Sequence, residues 1–150
     1  MKKICLIASS GGHYEEVKVL GQLQADFNVF VVTERLAYTQ PGDADYFIKQ
    51  VNRREKLFVI NMLIVAWQSL RIFIKEKPDV IISTGALAVI PMFIIGKICR
   101  RQLIFVESFA KVNSATMTGK FLARFVNDFY VQWEPMLAVY PKAKYIGYLF

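Results

Sequence analysis

A chain of 150 residues with 55% hydrophobic residues and a net charge of +7 has room for one domain, residues 1–150, and one substantial core. The mean hydropathy of +0.33 exceeds what a core alone requires, so apolar surface is expected at a partner or a membrane. The basic balance favours anionic partners. The aromatic residues are buried in apolar runs rather than spaced along a basic face, which argues against nucleic acid. Cys5 and Cys99 lie in apolar stretches and read as reduced, buried thiols, with neither a disulfide scaffold nor a metal site.

The elements alternate between buried strands and helices, the signature of a parallel sheet covered on both faces. Lys3–Ala8 is the first strand, followed by a helix from Tyr14 to Gln24. Strands are predicted at Phe27–Thr33 and Tyr46–Lys49, with a turn at Gln40–Asp43 between them. Residues 56–76 form a long helix that stops before Pro78. Asp79–Ser83 is a strand buried on both faces, and residues 86–99 a helix. Leu103–Val106 is the next strand, and residues 114–127 a helix entered through Ser114. Phe129–Gln132, a short helix at Glu134–Tyr140 and a last strand or loop at 145–147 complete the order. No uncharged apolar run reaches the ~20 residues that span a bilayer.

Three strand ends carry small and polar residues. Ser9-Ser10-Gly11-Gly12-His13 follows the first strand and opens a helix, where glycines admit a ligand and free N–H groups favour phosphate. The dinucleotide fingerprint is incomplete, although Glu34 ends the second strand at a suggestive distance. Ser83-Thr84-Gly85 and Glu107-Ser108-Phe109-Ala110-Lys111 repeat the arrangement at later strand ends, where open parallel sheets bind ligands. The competing roles are plain helix entries and, for Glu107, capping of the next turn.

The helix at 56–76 is unusual. Gln68, Ser69, Arg71 and Lys75 all fall within about 80° of Asn61 on the wheel, leaving an apolar arc of about 200°. Arg53 and Arg54 precede it, and Leu63 and Trp67 lie on the apolar arc. This pattern predicts docking on an anionic membrane surface, with Trp67 as an interfacial anchor.

The glycine–histidine loop, Pro78–Gly85, Val106–Ala110 and Val131-Gln132-Trp133 together resemble the membrane-recruiting, acceptor-side subunit of the two-chain N-acetylglucosaminyltransferase of dolichol-linked oligosaccharide synthesis. The bacterial counterparts in capsule and exopolysaccharide synthesis are the nearer likeness, and the N-terminal domain of the lipid II-forming peptidoglycan transferase a more distant one. The resemblance implies a Rossmann-like α/β sheet, the N-terminal half of a GT-B glycosyltransferase, with the nucleotide-sugar-binding half on a separate chain. The missing closing helix after Ile146-Gly147 is read the same way. Eukaryotic members carry an N-terminal membrane anchor; here the first strand begins at residue 3, so attachment to the inner face of the cell membrane is expected from elsewhere in the fold.

The resemblance further implies a polyprenyl-diphosphate-linked acceptor and no cofactor. His13, whose side-chain type suits proton removal near neutral pH, is one candidate base and Glu107 the other, or the residue that orients the acceptor. Ser10, Gly11, Gly12, Thr84, Gly85, Ser108 and Lys111 are candidates for binding the acceptor and its phosphates. Arg53, Arg54, Leu63, Trp67 and Arg71 are candidates for the membrane. The alternatives are a catalytically silent recruiting subunit and, more distantly, a dinucleotide-binding oxidoreductase domain.

Overall fold

The computed structural model describes residues 1–149. Seven parallel strands form one sheet: β1 Lys3–Ala8, β2 Asn28–Arg35, β3 Tyr46–Lys49, β4 Val80–Ser83, β5 Gln102–Val106, β6 Asp128–Val131 and β7 Lys144–Tyr145. Their order across the sheet is β3-β2-β1-β4-β5-β6-β7. The chain winds outward from β1 to β3, then crosses back to lay β4 along β1, pairing Ile4 with Val80 and Ile7 with Ser83. The direction of winding therefore reverses between β1 and β4, opening a crevice at the carboxyl ends of these two strands.

Side-chain alternation sorts the strands onto two faces. Cys5, Ile7, Phe30, Val32, Ile81, Leu103 and Phe105 point to the face covered by the helices α2 Phe58–Glu76, α3 Ile90–Ile98 and α4 Met117–Leu122. Ile4, Leu6, Ala8, Val80 and Ile82 meet α1, Gly12–Val19, and the 3₁₀ turn Leu20–Ala25 on the other face. Helix α2 ends at Lys77, whose left-handed backbone returns its N–H to the Phe73 carbonyl at 2.8 Å, and Pro78 forbids another turn.

The helix expected from Tyr14 to Gln24 is α1 followed by the 3₁₀ turn, and the short helix expected at Glu134–Tyr140 is a 3₁₀ turn at Glu134–Leu137. Two further expectations change. The helix expected over 114–127 shortens to Met117–Leu122, because Thr116 rather than Ser114 caps it: Thr116 Oγ1 accepts from the Gly119 N–H at 2.8 Å. Cys99 follows α3 on the surface and is exposed; only Cys5 is buried, and burial pushes its thiol well above the ordinary range.

Candidate functional site

The crevice between β1 and β4 is walled by the loops that follow these strands. Gly11, with φ +80°, turns the chain from β1 into α1, and His13 is the second residue of that helix. Its half-buried ring lies against Gly85 at the end of β4, so closely that a Cβ on Gly85 would stand 2.8 Å from His13 Cε1. Thr84 Oγ1 donates to the His13 carbonyl at 2.8 Å, and the Ser9 N–H donates to the Gly85 carbonyl at 3.2 Å. The two loops thus brace each other around the imidazole. His13 Nδ1 is buried and has no hydrogen-bond partner among the described residues.

Three buried carboxylates surround this crevice, each doing different structural work. Glu107, 1% exposed, receives the Ser108 and Thr116 N–H groups, the Thr116 hydroxyl and, at 2.6 Å, the Tyr140 hydroxyl. Burial, reinforced by this carboxylate, holds the Tyr140 phenol well above its ordinary range, so it stays a donor. A Cβ on Gly119 would strike Glu107 Oε2 and lie 2.6 Å from the Tyr140 oxygen, which is why glycine stands there. Glu107 therefore has its acceptor capacity taken up inside the protein, in the capping role open to it from the sequence. Glu16 Oε1 accepts from Ser108 Oγ and the Phe109 N–H, and Oε2 from Gln132 Nε2, each at 3.1 Å. Glu34 accepts from Ser10 Oγ on one oxygen and the Val51 N–H on the other, both at 3.3 Å. Burial raises Glu16 and Glu34 above the usual carboxylate range, against the opposing pull of these donors.

The hydroxyls expected to meet a ligand are thus committed inward: Ser10 to Glu34, Thr84 to His13, and Ser108 to Glu16. Two hollows flank the crevice. One, about 260 Å³, is lined by Ser10, Gly11, Tyr14, Thr33, Glu34 and Asp43. The other, about 390 Å³, is lined by Arg53, Leu87, Lys111, Thr116, Met117 and Thr118. No group of three or more His, Cys, Asp or Glu side chains among the described residues could hold a metal ion.

Comparison with known proteins places this geometry in a family. The sequence profile described as "Oligosaccharide biosynthesis protein Alg14 like" matches residues 47–149, more than half of the chain. The chain belongs to the Alg14-like family. The human UDP-N-acetylglucosamine transferase subunit ALG14 is 26% identical over 175 aligned residues, covering 96% of this chain and 81% of the human one. The Schizosaccharomyces pombe subunit alg14 is 36% identical over 75 residues, covering 47% of this chain and 36% of its own. Among solved structures, MurG of Acinetobacter baumannii superposes with a TM-score of 0.68 at 16% identity over 87% of this chain. The UDP-N-acetylglucosamine 2-epimerase of Rickettsia bellii does so with a TM-score of 0.74 at 14% identity over 99%. At such identities the likeness is one of fold, a Rossmann-like domain shared with GT-B glycosyltransferases and epimerases. This Alg14-like chain spans 41% and 45% of those two structures.

The long helix of this Alg14-like chain packs in an unexpected orientation. Asn61 and Ser69, part of the polar arc on the wheel, are buried; Asn61 Nδ2 donates to Glu55 at 2.8 Å. Val65, Ile72 and Phe73 join them against the sheet. The apolar residues of the opposite face remain in the open: Val59 is 69% exposed, Leu63 65%, Trp67 61% and Ile74 60%, even with α3 packed alongside. By length and composition α2 could cross a membrane, the one such helix among the described residues. Its packing as the crossover between β3 and β4 holds it along the sheet instead. Arg53 and Arg54 precede the helix, while Arg71 lies near its far end beside Lys75.

Glu16 and Gln132 are the residues that sequence reasoning passed over as functional candidates. Gln132 Nε2 bridges Glu16 Oε2 and the Glu107 carbonyl, at 3.1 and 3.0 Å, tying the loops after β5 and β6 to α1. The signal available was spacing: His13, Glu16, Val17 and Leu20 share one helical stripe, so a carboxylate at 16 had to enter the interior.

Proposed function

We propose that this chain is the acceptor-side, membrane-associated subunit of a two-component glycosyltransferase, moving a sugar from a nucleotide-sugar to a polyprenyl-diphosphate-linked saccharide in capsule or exopolysaccharide synthesis. The observation that carries this reading is the placement of the glycine–histidine loop at the winding reversal of an Alg14-like chain. His13 is the base: it removes the proton from the acceptor hydroxyl as that oxygen attacks the anomeric carbon and the bond to the nucleotide diphosphate breaks, with inversion. Thr84 holds the His13 carbonyl, and Gly85 backs the ring. Glu107 and Glu16 are positioning residues that shape the loops around it. A separate chain supplies the nucleotide-sugar half, and the pair works at the inner face of the cell membrane.

The test is co-expression with a nucleotide-sugar-binding partner and assay of transfer to a lipid-diphosphate acceptor. Transfer by the pair and none by the isolated chain supports the proposal. Robust turnover by the isolated chain, or none by the pair over a range of donors, overturns it. One observation favours a second reading, a catalytically silent recruiting subunit: all three crevice carboxylates, Glu16, Glu34 and Glu107, are occupied by internal donors, leaving only His13 for chemistry. A full rate with His13→Ala would select that reading.

A further inference from the structure

The lipid-diphosphate acceptor of the function proposed above needs a place for its charged linkage, and the two hollows beside the crevice differ in sign. The hollow next to the glycine loop is lined by Glu15, Glu34 and Asp43 against Lys18 alone. Such a lining repels a diphosphate and suits neutral saccharide hydroxyls. The groove on the other side is lined by Arg53 and Lys111 and by no acidic residue. Neither forms an ion pair with a carboxylate among the described residues, and the Arg53 guanidinium rests against the sulfur of Met117. The nearby carboxylates are engaged elsewhere, Glu55 by Asn61 and Glu107 by its four donors.

We infer that this Arg53–Lys111 groove, and not the glycine loop, grips the diphosphate of the lipid-linked acceptor. Two cations lining one groove match the charge of a diphosphate, and the planar guanidinium can engage two oxygens at once. The lining of the groove fixes the direction of the ligand. Ala86 and Leu87 line the groove directly after the Gly85 that lies against the His13 ring, so the saccharide runs toward His13. Arg53, in the same lining, precedes α2, and the exposed Leu57 just before that helix and Ile60 within it open the outward stripe that ends beyond Trp67, so the isoprenoid runs toward the membrane.

The experiment measures co-sedimentation of the chain with neutral phosphatidylcholine vesicles carrying undecaprenyl diphosphate, undecaprenyl monophosphate or undecaprenol. Neutral lipid removes general attraction to anionic headgroups. The wild-type chain should bind diphosphate vesicles at least about tenfold more tightly than undecaprenol vesicles, the size expected of charge-assisted contacts. The double variant Arg53→Ser, Lys111→Ser should lose that preference, and Arg53→Lys should recover part of it. Lys2→Ser with Arg100→Ser, which removes the same charge from exposed positions outside the groove, should keep it. Thermal melts of each variant confirm folding. A wild-type chain that does not distinguish diphosphate from alcohol, or a double variant that still does, overturns the assignment. In the assembled pair, the double variant should raise the acceptor KM and leave kcat within about threefold. Transfer with an unchanged KM defeats this assignment alone, whereas absence of any transfer by the wild-type pair defeats the proposed function and leaves the vesicle result to stand or fall by itself.

Discussion

The imidazole of His13 rests on the backbone of Gly85, the two residues meeting across the crevice where the sheet reverses its winding. Gly85 has φ +128°, a region side chains rarely enter, and a Cβ there would press on the ring at 2.8–3.3 Å. Gly85→Ala should therefore cost about 1–3 kcal/mol of stability and displace the ring. Urea unfolding measures the first effect and turnover by the assembled pair the second. A variant with wild-type stability and wild-type turnover would show that the contact positions nothing.

Glu107 and His13 should separate cleanly by experiment. Glu107→Ala leaves the Thr116 N–H and the Tyr140 hydroxyl buried without an acceptor, at a cost of about 2–5 kcal/mol for the two groups together. Its melting temperature should fall steeply. His13→Ala removes a half-buried ring that no side-chain hydrogen bond holds, so stability should stay within about 1 kcal/mol of wild type. Turnover by the pair should fall by about 10²–10⁴. A Glu107→Ala chain of unchanged stability would contradict the hydrogen-bond network.

Stability should depend on pH with opposite signs at Glu34 and Asp128. Burial raises Glu34 in the folded chain, so its contribution is present below the ordinary carboxylate value and is lost as pH rises through the folded one. Relative to Glu34→Gln, the wild type should lose stability as pH rises above the ordinary glutamate value of about 4.3. Asp128 is held below its ordinary range by the Lys144 ammonium, 2.8 Å away. Its contribution is present above about pH 4 and lost as pH falls. Lys144 is well exposed, so that effect is small and weakens with salt. Unfolding curves across this range settle both, and parallel curves for wild type and Glu34→Gln would exclude a raised Glu34.

The strands were legible because their apolar runs have no polar alternative. Val80-Ile81-Ile82, bounded by Pro78 and Gly85, can only be buried on both faces. What escaped the sequence depends on partners far along the chain. Helix α4 begins at Thr116 because Glu107 holds the Thr116 N–H and hydroxyl, a bond nine residues long that local capping preference does not reveal. Glu16 in the second turn of a polar helix reads as surface until Ser108 and Gln132, more than 90 residues away, supply its donors. Asn61 looked like a solvent-facing mark on the wheel. With Glu55 as its partner it can be buried, and that choice turns the apolar arc of α2 outward.

That outward arc carries the last prediction, docking of α2 on anionic membrane. Val59, Leu63, Trp67 and Ile74 are all at least 60% exposed, on a helix of about 28 Å lying along the sheet. Burying a side chain of this size contributes about 1.5–3 kcal/mol, so a few of them suffice for stable association. Arg53, Arg54 and Lys56 at one end, and Arg71, Lys75 and Lys77 at the other, place cations at both ends of the stripe. Each contributes on the order of 1 kcal/mol near an anionic leaflet. The chain should therefore sediment with phosphatidylglycerol vesicles, less so as salt rises. Leu63→Ser with Trp67→Ser should abolish binding without lowering stability, because both side chains already face solvent. Arg54→Glu should weaken binding at low salt and leave the diphosphate groove intact. Asn61→Leu, on the buried side, should leave vesicle binding unchanged whatever it does to stability. A wild-type chain that ignores anionic vesicles at low salt, alone and with its partner, would assign the stripe to a protein interface instead.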